Sequence, residues 1–173
     1  MNPSHDRIKI VLWGLCLLRF VRCTADRPRL GPVAEGWAGN SVNAVIFRQN
    51  AVVSYGSCQY TAFYDAQGHV ILAKRDPDEN EWTIRKTRYQ GQIRDAHRCI
   101  SIMTDGEGNL HMAWDHHDSP LRYCRSRSPG SLELTDELPM TGDREDRVTY
   151  LPSFTGCRTA IYCFYIMTAI PGA

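Results

Sequence analysis

The chain has 173 residues, 43 % of them hydrophobic and 23 % charged, with a formal net charge of +1. That is the composition of a globular domain with a core, and it excludes a disordered chain. A near-neutral balance also carries no electrostatic footprint for nucleic acid.

Arg7 and Lys9 precede an apolar run, 10–18, which is too short to cross a bilayer as a helix. With Cys23 and Ala25 ahead of Asp26, residues 1–25 have the shape of a signal peptide. The expectation is a secreted or periplasmic protein with no membrane attachment after cleavage. A buried helix is the competing reading, because Arg19 and Arg22 interrupt the end of the run. Cleavage would leave sixteen basic and eighteen acidic residues, so no nucleic-acid partner is expected. It would also leave Cys58, Cys99, Cys124, Cys157 and Cys163, an odd number with no CxxC spacing. Buried small hydrophobes are the simplest role for most of them, and no metal or other cofactor is expected.

From residue 51 onward the pattern is one of strands. Segments 51–55, 60–65, 69–75 and 81–88 are separated by turn residues at Ala66-Gln67-Gly68 and by the DPDEN stretch. The run DAQGHVILA from Asp65 matches DGEGNLHMA from Asp105, an offset of 40 residues. Trp82 to Arg85 is answered in the same way by Arg122 to Arg125, each as a third strand after a hairpin. A 40-residue unit of short antiparallel strands is the size of a propeller blade. The predicted fold is therefore all-β, a partial β-propeller of antiparallel four-stranded blades over 26–150, with an atypical tail over 151–173. A β-sandwich with similar hairpins is the competing architecture. At this period the chain after residue 25 supplies about three blades, fewer than the 4–8 that close a ring. Blades completed between chains would make an oligomer.

The second unit holds the chemistry. Segments 99–104 and 109–114 flank Asp105-Gly106-Glu107-Gly108, which reads as a tight hairpin turn. If Thr104 pairs with Asn109, the same register extended from the turn sets His97 opposite His116. Directly opposed side chains in an antiparallel pair lie about 4.5–5.5 Å apart at Cβ. Three of the six histidines, His97, His116 and His117, thus gather at one end of one hairpin, flanked by Asp95, Asp115 and Asp118. Within 109–115, alternation puts Leu110, Met112 and Trp114 on a packing face and His111, Ala113 and Asp115 on the other. His111 and His69 are expected to be satisfied or surface residues.

Two histidines across a cleft can serve as proton acceptor and donor in one reaction. That suits β-elimination from a uronic-acid polysaccharide, with an acidic polysaccharide as partner. Arg94, Arg98 and Arg122 could neutralise the sugar carboxylate, and Tyr150 or Tyr123 could donate a proton. The plainer reading is that histidines and aspartates satisfy one another at a blade edge. A metal site built from these histidines with Asp115 has no established ligand spacing behind it.

The run DAHRCISIMTDGEGNLHMAWDHHDSPLRYCRSRSPG, with AVVSYGSCQYTAFYDAQGHVILAKR before it and DRVTY after it, resembles the BNR-repeat family. These are secreted, sialidase-like propellers that include ulvan-type polysaccharide lyases. The resemblance covers about 37–154. It implies a seven-bladed propeller in which one histidine from each of the DAH and DHH segments acts in β-elimination, assisted by Tyr and Arg. By that carry-over His97 is one member and His117 the better match for the other, with His116 second. A one-residue shift or a bulge would bring His117 opposite His97. Leu151 interrupts the family pattern after DRVTY, and the residues beyond read like a frame-shifted end of a truncated product. A non-catalytic carbohydrate-binding or inactive propeller is the alternative function. A sialidase-like hydrolase is weaker, since the strict S-x-D-x-G-x-x-W box and a carboxylate pair are missing.

Overall fold

The computed structural model describes residues 31–45, 51–79 and 81–149, and the backbone of two short strands beyond them. The expected leader over 1–25 and Tyr150 lie outside the described residues, as does the 151–173 tail apart from those strands. The described elements are all β. Among the described residues no helix is long and apolar enough to cross a membrane.

Strands β1 (Val52–Tyr55), β2 (Cys58–Tyr64), β3 (His69–Arg75) and β4 (Thr83–Gln90) form one antiparallel sheet in chain order. Its alternation is what the sequence dictates. Tyr60, Ala62 and Tyr64 of β2 share a buried face with Val70 and Leu72 of β3, while β4 is exposed over its first four residues. Strands β5 (Ile100–Thr104), β6 (Leu110–Trp114) and β7 (Tyr123–Arg125) form the second sheet. A bridge from Ser126 to Leu134, with the Thr135 N–H donating to the Arg125 carbonyl at 2.8 Å, adds a fourth line to it. Two further strands, β8 (Thr155–Gly156) and β9 (Tyr162–Cys163), pair with each other.

The repeat is a repeat of geometry. In both hairpins an aspartate opens the turn and its carboxylate accepts two backbone N–H groups further on. Asp65 holds Gln67 and His69 at 2.9 and 2.8 Å, and Asp105 holds Glu107 and Asn109 at 2.9 and 2.8 Å. Each turn needs a left-handed residue in fourth place, supplied by Gly68 (φ 82°) and Gly108 (φ 87°). This wrap consumes five residues, and it corrects the register expected from sequence. Thr104 pairs with Leu110 rather than Asn109, and Ile100 with Trp114. The third strands are offset by one less than forty, since Leu72 faces Arg85 whereas Met112 faces Cys124.

The two sheets pack face to face. Tyr60, Tyr64 and Leu72 from the first meet Ile102, Met112 and Trp114 from the second in one apolar cluster. Each large side chain removed from water there contributes about 1.5–3 kcal/mol. Tyr89 closes the cluster against Trp114, with ring centroids 4.5 Å apart. Cys99 and Cys124 are both buried, as small hydrophobes, and burial pushes the Cys124 thiol up to about 12. A smaller cluster of Met103, Ala113 and Val148 covers the opposite face of the second sheet.

Candidate active site

Beyond Ile100 and Trp114 the hairpin opens, and both chain ends curl. On the β5 side residues 92–98 form consecutive turns, in which the Asp95 carboxylate accepts the His97 N–H at 3.0 Å. On the β6 side Asp115 takes a left-handed conformation (φ 65°), and Asp118 repeats it (φ 50°). The Asp115 side chain explains why the bend holds. Although nearly buried, it accepts the Gln92 N–H at 2.8 Å and an Arg122 N–H at 2.8 Å, and it lies 3.5 Å from Arg98. Arg98 then reaches across the hairpin, donating to the carbonyls of Asp115 and His117 at 2.9 and 3.2 Å. One guanidinium therefore ties the turn segment that carries His97 to the loop that carries His117.

Those two rings meet. With the observed register continued past the last strand pair, His97 faces His117, and their ring centroids are 4.6 Å apart. They share one carboxylate: Asp95 Oδ1 lies 2.7 Å from His97 Nδ1, and Oδ2 lies 2.6 Å from His117 Nδ1. An ionised carboxylate only accepts, so each Nδ1 carries the hydrogen that is shared with Asp95. Burial pushes the Asp95 carboxyl up, but hydrogen bonds from His117 and from the backbone and ring of His97 outweigh it. They hold the group well below the ordinary carboxylate range. Both rings stay accessible, with side chains 44 % and 42 % exposed.

The other sequence candidates fall elsewhere. His116 is not opposite His97: it points inward, buried, with Nε2 accepting the Arg122 N–H at 2.8 Å. Burial, then the Arg122 and Arg98 cations, push its imidazole down to about 3, which keeps it a neutral acceptor. The physical reason for the exchange of His116 and His117 is the five-residue turn, since one slip in register swaps every face. The Arg122 guanidinium lies over the Trp114 ring at 4.8 Å and donates to the Gln90 carbonyl at 2.7 Å. Arg98 is engaged by the bonds already given, and Arg94 is exposed, with its backbone N–H on Gln92 Oε1. The Tyr123 hydroxyl bonds His111 Nδ1 at 2.6 Å, away from the histidine pair. The shared role of Asp95 and the Arg98 clamp are what sequence reading did not resolve. The Asp-Ala-His spacing was their only visible signal. A separate basic depression of about 230 Å³ lies along β4, between Arg85, Arg88, Arg127 and Glu133, and none of the histidines lines it.

Four-line antiparallel sheets, repeating at forty residues and packed face to face, with loops gathered at one end, define an all-β protein of the propeller type. The chain belongs to the BNR repeat-containing family, whose model matches residues 58–167. A solved ulvan lyase, described as a new family of polysaccharide lyase, aligns with a TM-score of 0.50 at 15 % identity. That alignment covers 61 % of this chain and 29 % of the lyase. A second structure, of an ulvan lyase bound to a GlcA(1-4)Rha3S saccharide, aligns with a TM-score of 0.56 at 15 % identity. It covers 70 % of this chain and 32 % of its own. This chain thus spans about a third of the length of those structures, and at such identity the likeness is one of fold. No curated protein matches the chain.

Proposed function

We propose that this chain carries the proton-transfer centre of a polysaccharide lyase that cleaves an acidic, uronic-acid polymer by β-elimination. The observation that carries the reading is the shared carboxylate. Asp95 holds both imidazoles by Nδ1, which sets two accessible rings side by side in one site. One neutral ring takes the proton α to the sugar carboxylate, and the electron pair of that C–H bond forms the new C4–C5 double bond. The C4–O bond breaks, and the departing oxygen takes a proton from the other ring as imidazolium, or from Tyr150. Arg94, exposed beside Asp95, is our candidate to neutralise the sugar carboxylate while the α-proton leaves. Arg98 and Arg122 act from behind, by holding the loop.

The fold shared with ulvan lyases supports this reading, as does the saccharide bound by one of them. A secreted or periplasmic location fits a substrate too large to enter a cell. The test is incubation with uronate polymers while following the ultraviolet absorbance of the unsaturated uronyl product. A rise that His97→Ala lowers by about 10²–10⁴-fold is expected for loss of an acid–base group. Binding without any rise would show a carbohydrate-binding module instead, and reducing ends without unsaturation would show a hydrolase.

A further inference from the structure

We propose that Asp95, His97 and His117 also form a binding site for a divalent transition-metal ion of the zinc type, and that the loaded site cannot act as a base. One donor atom from each of the three residues lies within 4.8 Å of the other two. Imidazole nitrogen and carboxylate oxygen are donors that zinc accepts, at about 2.0–2.2 Å, which in a tetrahedral site sets neighbouring donors roughly 3.4 Å apart. The two Nδ1 atoms already sit 2.7 and 2.6 Å from the Asp95 oxygens. Small rotations of two half-exposed rings therefore bring all three donors onto one ion. Three protein ligands leave a coordination position for water or a substrate oxygen, the open arrangement of reactive zinc sites.

The surroundings are suited to hold it. Arg98 Nε lies 3.4 Å from Asp95 Oδ2, and the same side chain fixes the loop that carries His117. Asp115, 3.5 Å from Arg98, shares that cation with Asp95, so one guanidinium is divided between two carboxylates. The three ligands come from two segments about twenty residues apart, which is why no ligand motif is visible in the sequence.

The consequence follows from the tautomer. A ring bound to metal through Nδ1 must offer its lone pair there, so its hydrogen moves to Nε2. No lone pair remains at Nε2 to take a sugar proton, and the Asp95 carboxylate no longer orients the rings. This consequence rests on the lyase reading above, whereas the binding itself stands on the geometry alone.

Cobalt(II), which occupies zinc sites and reports its coordination by visible absorption, tests the site on the full chain after chelator treatment. One equivalent should give the visible bands of a four- or five-coordinate ion, bleached by added Zn²⁺. His97→Ala and Asp95→Asn should each weaken binding at least tenfold at unchanged circular dichroism, while His69→Ala leaves it intact. Only the faint spectrum of aqueous cobalt, or full bands in His97→Ala, would overturn the site. In the second arm, saturating Zn²⁺ should suppress formation of the unsaturated uronyl product, and a chelator should restore it. Turnover that continues in the loaded protein overturns the inhibitory half. A chain that binds cobalt yet eliminates nothing from any uronate polymer overturns the lyase reading and its inhibition together, and leaves the metal site standing.

Discussion

The same hairpin carries a histidine–aspartate constellation at each end, and the two have opposite fates. At the closed end Asp105 meets His111 Nε2 at 3.1 Å and His111 Nδ1 meets the Tyr123 hydroxyl, with the aspartate and histidine side chains only 5 % and 6 % exposed. At the open end Asp95 serves two rings, both more than two-fifths exposed. Residue types are shared, so chemistry alone does not separate them; solvent access does. Both nitrogens of His111 are spent on holding the turn to the third strand. At the open end one carboxylate holds two rings by their Nδ1 positions.

The largest effect expected from this contrast is an exchange of phenotypes. His97→Ala should remove most or all lyase turnover, about 10²–10⁴-fold, with an unchanged melting temperature. His111→Ala should do the reverse, lowering stability by about 1–3 kcal/mol as Asp105 and Tyr123 lose a buried partner. Paired melting curves and product absorbance would decide it, and a His97→Ala protein that melts early would dissolve the distinction. Next in size is Asp115, whose removal leaves Arg98 and Arg122 without their common anion. Asp115→Ala should cost about 3 kcal/mol in urea unfolding. Asp115→Asn, which tolerates the left-handed backbone, should cost less. Equal losses would place the cost in the charges rather than in the backbone bend.

How far the sequence disclosed this arrangement depends on the kind of information involved. The forty-residue period, the strands and the packing face of Leu110, Met112 and Trp114 were legible because alternation and turn residues are local properties. The partner of His97 was not settled by local pattern, because it depends on how many residues the Asp105 carboxylate wraps. Counting a four-residue turn gave His116, and the five-residue wrap gives His117. The family resemblance points to His117 as well. From sequence Arg98 is a substrate-binding candidate, because a guanidinium near histidines looks the same there whichever way it points.

A smaller effect separates the closed end by pH. Burial raises the Asp105 carboxyl, but hydrogen bonds from Asn109 and His111 outweigh it and bring it down to about 2. A carboxyl whose folded value lies below its unfolded value of about 3.9 stabilises the fold above that pH and loses the effect as pH falls toward 2. The stabilisation is on the order of 2 kcal/mol. Asp105→Asn should therefore melt below wild type at pH 6, with the gap narrowing through pH 4 to 3. A gap that does not change with pH would mean that the amide loses shape rather than charge.

The smallest test reaches the turn itself. Gly106 and Gly108 sit two residues apart in one loop, and only the second is required by geometry. At Gly108 φ is 87°, and an added Cβ would lie 2.8 Å from the Tyr55 ring, whose hydroxyl donates to the Gly106 carbonyl at 2.8 Å. Tyr55 is partly exposed and can swing aside, so the cost is mainly the left-handed backbone, about 1–2 kcal/mol. At Gly106 a Cβ meets nothing within 4 Å, and alanine there should change stability by less than about 0.5 kcal/mol. Because the register of the whole hairpin is set in this loop, Gly108→Ala should also disturb the pairing of His97 with His117 and lower turnover, whereas Gly106→Ala should not. Equal turnover in the two variants would show that the open end is held by Arg98 and Asp115 independently of the turn that first aligns it.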